Sequence, residues 1–312
     1  MSPPGPARLA YLGTSEFAAA VLRRLAASPH RPALVITPPD RKRGRGRRLG
    51  PPPTAAAAQS LELSLHQSED VNSAETIDAL EDAGVELGLV CAFGQFLKAS
   101  ILDRFELLNV HPSLLPRWRG AAPIERAIMA GDERTGVAII RVTEELDAGP
   151  VALVEPVAIE PDDDFGSLWP RLADLGGELA VRALDLRGAG ELTFTPQGHD
   201  GMSYAEKIDA SERALDPRRP ALELERTVRA LHPHIGTYLE LPGGDRLGVG
   251  RAASQDGEAP GAGEVRAEGG ALVLGCNPGA LRILSVRPPG GREMPASDYL
   301  RGHPVPRLVD PR

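Results

Sequence analysis

The chain has little of several residue types that mark specialised protein classes. Of 312 residues only Cys91 and Cys276 are cysteine, too few and too far apart for a disulfide framework or a cysteine metal site. Both read as small core hydrophobes of a reducing compartment, and no metal is expected. Lysine occurs only at Lys42, Lys98 and Lys207, so arginine carries nearly all the positive charge. With the abundance of alanine, glycine and proline, this reads as the coding bias of a GC-rich genome. No apolar run approaches the roughly 18 residues of a membrane span. The opening M-S-P-P-G-P-A-R lacks the apolar core of a signal peptide. The expectation is a cytoplasmic protein with no membrane contact.

What is present bounds the fold. With 42% apolar residues, the length suffices for one large domain and a smaller one. The 34 glycines and 30 prolines are about a fifth of the chain, below the share of low-complexity sequence, and imply many ordered turns. A net charge of −8 argues at first against a nucleic-acid partner, because phosphate binders usually present a positive field.

From Arg8 the pattern alternates short apolar runs with amphipathic stretches. R-L-A-Y-L-G, E-F-A-A-A-V-L-R-R-L-A-A and P-A-L-V-I-T read as strand, helix, strand. Helices are expected over Ala55–Ser60 and Ser73–Asp82, and buried strands over Glu86–Ala92 and Leu107–His111. This alternation implies an α/β fold with a Rossmann-like parallel or mixed sheet. G-V-A-I-I-R-V-T and V-A-L-V-E-P-V-A-I, joined by a connection too short for a helix, read as an antiparallel pair. A helix from Gly166 to about Leu186 closes a first domain, 1–190. A linker follows at 191–208, then a small C-terminal β-barrel domain at 209–312 with short strands and Gly-rich turns. Ala252–Gly263 has no apolar period and reads as an exposed loop.

Four segments could carry chemistry. The first turn, Gly13-Thr14-Ser15, has one glycine where a dinucleotide fingerprint needs three, so it reads as a capped structural turn and disfavours a nicotinamide oxidoreductase. The second is D-R-K-R-G-R-G-R-R, with Arg41, Lys42, Arg43, Arg45, Arg47 and Arg48. Removing these six charges from the total of −8 leaves −14. Such a glycine-bearing segment can fork onto phosphates or stack on bases, or be no more than a solvated loop. In the third, L-L-N-V-H-P-S-L-L-P-R-W-R-G-A-A-P-I, Asn109 and His111 lie two apart and share a strand face. They sit at the carboxyl end of a strand, where open α/β sheets bind ligands. The fourth is E-E-L-D-A-G-P, with Asp147 on a loop after a strand. Together they would supply an amide donor, an imidazole and a carboxylate. Separation in sequence does not establish that they meet.

N-V-H-P-S-L-L-P-R-W-R-G-A-A-P-I followed by L-D-A-G resembles the 10-formyltetrahydrofolate-dependent formyltransferases, and the likeness extends from L-G-T-S-E-F-A through Y-A-E-K-I. The resemblance implies a catalytic trio of Asn109, His111 and Asp147, and folate contact by Ser113, Leu114, Leu115 and Pro116. It implies 10-formyltetrahydrofolate as formyl donor without a metal, and initiator methionyl-tRNA as acceptor. Arg41, Lys42, Arg43, Arg45, Arg47 and Arg48 would then contact the tRNA, aided by an OB-like C-terminal domain; Lys207 in the linker and Arg213, Arg218, Arg219, Arg226 and Arg229 are the nearer candidates there. A monomer is expected. Alternatives are a formyltransferase acting on another amine, such as a glycinamide ribonucleotide or an amino sugar nucleotide, and a non-catalytic RNA-binding module. The latter leaves Asn109, His111 and Asp147 unexplained.

Overall fold

Five consecutive buried residues, Leu9–Gly13, open the fold as β1 in a computed structural model that describes residues 7–43, 48–255 and 259–309. The chain turns through Thr14 into α1 (Glu16–Ala26), which Ser15 caps by accepting from the Ala18 amide at 3.2 Å. Glu16 in the first turn and Arg23 and Arg24 in the last complement the helix dipole. Gly13 is required for space: a Cβ there would lie 2.8 Å from the Ala18 Cβ and 2.9 Å from the Tyr11 ring. The single glycine lets strand and helix approach closely, which fits a structural turn.

β2 (Leu34–Thr37) returns parallel to β1. The antiparallel pair β3 (Arg41–Arg43) and β4 (Arg48–Gly50) follows. Next come α2 (Pro53–Ser60), β5 (Leu65–Gln67), α3 (Ala74–Asp82), β6 (Leu87–Cys91), α4 (Ala99–Leu102) and β7 (Glu106–His111). The short β8 (Arg119–Gly120) precedes α5 (Pro123–Ala130), β9 (Arg134–Arg141), β10 (Val151–Ala158) and α6 (Phe165–Gly188). β11 (Tyr204–Ala205) then pairs with β8.

Seven strands form one sheet in the order β10-β9-β7-β6-β1-β2-β5. Neighbours from β7 to β5 are parallel, whereas β9 runs antiparallel to β7, and β10 to β9. Strand order reverses between β1 and β6, the position at which such sheets open a crevice for ligands. A core on this sheet joins Leu12, Ile36, Val90 and Leu107 to Ile77, Leu80 and Ile101.

Later in the chain lie α7 (Ala221–Leu231), β12 (Thr237–Glu240), β13 (Arg246–Gln255), β14 (Val265–Glu268), β15 (Ala271–Gly275), β16 (Ala280–Arg287), β17 (Met294–Pro295) and α8 (Ala296–Gly302). These strands form an antiparallel sheet in the order β12-β13-β16-β15-β14, with β17 on β16. Leu224 and Val228 of α7 share a core with Leu247, Leu272 and Ile283. The expectation of a loop over Ala252–Gly263 is corrected at its start. β13 continues through Gln255, pairing Ala252 with Ile283 and Ser254 with Leu281. These small and polar residues carry no apolar period of their own, and β16 supplies the ladder that holds them.

By contacts the chain divides into two compact units. One comprises Met1–Pro123, Arg134–Ala158 and Trp169–Glu206; the other comprises Ile124–Glu133, Ile159–Leu168 and Lys207–Arg312. Within the second, Asp164 Oδ2 lies 2.7 Å from His232 Nδ1 and Glu125 Oε1 lies 3.0 Å from His234 Nε2. The Phe165 and His234 rings stack at 3.6 Å, and Arg126 pairs with Glu212. That guanidinium holds the Glu212 carboxyl below its usual range.

Candidate active site

Beside the carboxyl ends of β6 and β7 lies a cavity of about 520 Å³. Its wall includes Asn109 and His111 from β7, Phe93–Leu97 from the segment after β6, and Thr143–Asp147 from the loop after β9. Period-two alternation brings Asn109 and His111 to one face, and the β9–β10 connection carries Asp147 to them. Asn109 Nδ2 donates to Asp147 Oδ1 at 3.1 Å. His111 Nδ1 lies 3.5 Å from Asp147 Oδ2, which also accepts from the Gly120 amide at 2.9 Å. All three residues expected to form the trio therefore meet.

The imidazole is held at both nitrogens. His111 Nε2 donates to the Trp118 carbonyl at 2.9 Å, while Nδ1 faces the Asp147 carboxylate. A neutral ring can donate from only one nitrogen, and two acceptors face this one. His111 is almost fully buried and Asp147 nearly so, which removes most competing water.

Backbone strain concentrates at the same place. Four non-glycine residues among those described have left-handed φ, and three of them are Ala92 at 43°, Trp118 at 67° and Asp147 at 48°. Ala92 and Asp147 line the cavity, and Trp118 supplies the carbonyl that holds His111. A Cβ at Gly149 would collide with the Arg141 carbonyl, so the loop carrying Asp147 closes tightly.

Ser113, Leu114, Leu115 and Pro116 do not line this cavity, although their neighbour Pro112 does. Ser113 is buried, its hydroxyl donating to the Arg117 carbonyl at 2.7 Å. The Leu114 side chain fills the space above Gly136, where a Cβ would meet its Cδ2 at 2.5 Å. Trp118 lies beneath the Arg117 guanidinium at 4.3 Å. Cys91 does not line the cavity, and burial pushes its thiol up to about 12.

Of the basic segment, Arg41 and Lys42 are exposed on β3, and Arg43 and Arg48 lie on the paired strands. Arg45 and Arg47 lie outside the described residues. Several later arginines are engaged by the protein itself. Arg213 donates to the Gly236 carbonyl, Arg218 to Asp216, Arg219 to Glu223, Arg226 to the Ala130 carbonyl and Arg229 to the Asp163 carbonyl.

Sequence reasoning missed the far wall, Phe93–Leu97 and Thr143–Leu146. The available signal was position: A-F-G-Q-F follows a buried strand at the sheet end where ligands bind. Phe96 on that wall is 72% exposed. Among the described residues no group of three or more His, Cys, Asp or Glu could hold a metal, and no helix is long and apolar enough to cross a membrane.

Comparison with known proteins agrees with this geometry. Residues 7–184 match the model described as formyl transferase, and 207–304 match its C-terminal domain. The chain is 44% identical over 309 residues to methionyl-tRNA formyltransferase of Halorhodospira halophila, covering 97% of each. It is 40% identical over 307 residues to that of Methylobacterium nodulans, covering 95% of this chain and 96% of the relative. Among solved structures, HypX from Aquifex aeolicus in complex with tetrahydrofolic acid superposes with a TM-score of 0.65 at 19% identity, over 95% of this chain and 47% of that one. The sugar 3N-formyl transferase WlaRD gives 0.65 at 14% identity, over 90% of this chain and 97% of that one. A strand-end trio, a fold shared with formyltransferases and full-length relatives of one kind converge: the chain belongs to the formyltransferase family, among the methionyl-tRNA formyltransferases.

Proposed function

We propose that this protein transfers the formyl group of 10-formyltetrahydrofolate to the α-amine of initiator methionyl-tRNA, giving the N-formylated species used to start translation. The observation that carries the reading is the meeting of Asn109, His111 and Asp147 on one cavity wall. At about 520 Å³ the cavity falls within the roughly 300–1,000 Å³ typical of small-molecule sites. The folate donor occupies it between Phe93–Leu97 and Thr143–Leu146. The Ser113–Pro116 segment supports the wall at Pro112, with Ser113 tying that loop to Arg117.

In the reaction the amine nitrogen bonds to the formyl carbon, and the carbonyl electron pair moves onto its oxygen. Asn109 keeps one amide hydrogen on Asp147 and has a second for this oxyanion. His111, anchored through Nε2 to the Trp118 carbonyl, turns its Nδ1 edge to the same centre, takes there the proton that the amine releases, and is steadied as imidazolium by Asp147. The bond from the formyl carbon to the folate nitrogen then breaks, its electron pair staying on that nitrogen. The nitrogen takes up that proton from His111, passed on by Asp147 through water. No covalent enzyme intermediate is needed.

Arg41, Lys42, Arg43, Arg45, Arg47 and Arg48 grip the acceptor stem, a role supported by the exposure of Arg41 and Lys42. The engagement of five later arginines with protein acceptors shifts the weight of RNA contact toward this segment. We read the enzyme as a cytoplasmic monomer. The test is formyl transfer from 10-formyltetrahydrofolate to charged initiator tRNA, beside elongator methionyl-tRNA, free methionine and an amino sugar nucleotide. Strong preference for the initiator species is expected. Transfer to the sugar nucleotide alone, or to none, overturns the proposal.

A further inference from the structure

The loop that carries Asp147 is gripped by one side chain whose hydrogen-bonding capacity is fully spent. Gln197 Nε2 donates to the Asp147 carbonyl at 2.8 Å and to the Gly149 carbonyl at 2.7 Å. Its Oε1 accepts from Arg119 Nε at 3.1 Å and from Arg119 Nη2 at 2.9 Å. A primary amide has two donor hydrogens and two acceptor lone pairs, and here all four are used. Arg119, only 5% exposed, reaches the same loop again through Nη1, 3.3 Å from Glu145 Oε1.

Asp147 has a left-handed backbone at φ 48°, which a residue with a Cβ holds only when its surroundings impose it. Gln197 fixes the carbonyls on both sides of Ala148, so the peptide plane leaving Asp147 cannot rotate freely. The Gly120 amide and Asn109 hold the carboxylate end, while Gln197 and Arg119 hold the backbone end. We propose that Gln197, oriented by Arg119, is a positioning residue that sets the aim of Asp147 toward His111 and the reacting centre. This rests on the reading of Asp147 as a catalytic residue.

The chemistry requires an amide at 197. A carboxylate would keep the Arg119 pairing but aim lone pairs at two carbonyls, losing both donors. An alanine would leave two carbonyls and a buried guanidinium without this partner. The sulfur of a methionine would fill the volume without donating.

The test uses the full-length enzyme in single-turnover formyl transfer with saturating folate and methionyl-tRNA, plus steady-state KM for both. Variants are Gln197→Glu, Gln197→Met, Asp147→Asn and the double Gln197→Met/Asp147→Asn, each checked for folding by circular dichroism. Both Gln197 variants should lose about tenfold or more in the chemical rate, with both KM values within about threefold of the parent. The double variant should be no slower than Asp147→Asn alone, because Gln197 acts through a carboxylate already removed. Near-parental rates for Gln197→Glu and Gln197→Met beside a slow Asp147→Asn would overturn the positioning role and leave the catalytic reading standing. So would a loss confined to KM, or full multiplication of the two losses. A near-parental Asp147→Asn would instead overturn the catalytic reading.

Discussion

Replacing Asp147 by Asn preserves shape and removes charge, and the structure says what that does. Oδ1 accepts from Asn109 and Oδ2 accepts from the Gly120 amide. An asparagine that turns its NH₂ toward the Gly120 amide sets donor against donor. One that turns it toward Asn109 keeps that contact only if Asn109 flips its own amide and gives up the hydrogens offered to the oxyanion. A hydrogen bond to a charged group contributes about 1.5–3 kcal/mol, and about 1.4 kcal/mol is a factor of ten. Misorientation alone therefore predicts a rate loss of about 10- to 150-fold. Loss of the proton relay multiplies this by the roughly 10²- to 10⁴-fold of general acid–base catalysis, so the combined role predicts a drop of at least about 1,000-fold. Single-turnover formylation of initiator methionyl-tRNA measures it. A rate within about threefold of the parent, in a folded variant, would refute the carboxylate's part in the chemistry.

Three further outcomes follow from other parts of the molecule. Replacing the six basic residues from Arg41 to Arg48 with serine should weaken tRNA binding and flatten its salt dependence, by about 0.7–0.9 in logarithmic slope for each phosphate no longer neutralised; an unchanged slope clears the segment of phosphate binding. Ser15→Ala removes the cap of α1, which costs about 1 kcal/mol, and should lower the melting temperature by about 2–4 °C; no shift in a thermal scan counts against the cap. Burial pushes the Cys91 thiol up to about 12 and the Cys276 thiol up to about 11, so neither should react with a thiol reagent at pH 8 until the protein unfolds. Because the folded Cys91 holds its proton more tightly than an ordinary thiol at 9.0, its contribution is full below pH 9 and is lost as pH rises toward about 12. Rapid labelling of native protein would disprove that burial.

The elements around the site were legible where their signals are local. L-A-Y-L-G and L-G-L-V-C are unbroken buried strands, and the paired face of Asn109 and His111 follows from strand geometry alone. The arrival of Asp147 was not written in any periodicity, since a loop beyond another strand delivers it; its place on a glycine-bearing loop after a strand made it a candidate, and the family resemblance joined it to the other two. Arg119 and Gln197 stayed hidden for a similar reason. They lie 78 positions apart, and neither has a local partner that marks it. By residue type the two leucines of S-L-L-P are packing residues and only the resemblance gives them a folate role; Leu114 lies against Gly136. At Ala252–Gln255 a strand exists because its neighbour pairs with it, which four small or polar residues cannot signal by themselves.

The second compact unit is assembled from three stretches of chain, two of them encoded before the tail begins. Glu125, Arg126, Asp164 and Phe165 come from those early stretches and pair with Glu212, His232 and His234 of the late one. The unit is therefore not a cassette in the genetic sense. A gene fusion that swapped everything after residue 207 would import a tail whose counterparts are written elsewhere in the reading frame. During synthesis, Ile124–Glu133 and Ile159–Leu168 emerge from the ribosome long before the residues they pack with. Inheritance of the tail is thus tied to short segments encoded well upstream of it, and the two must drift together.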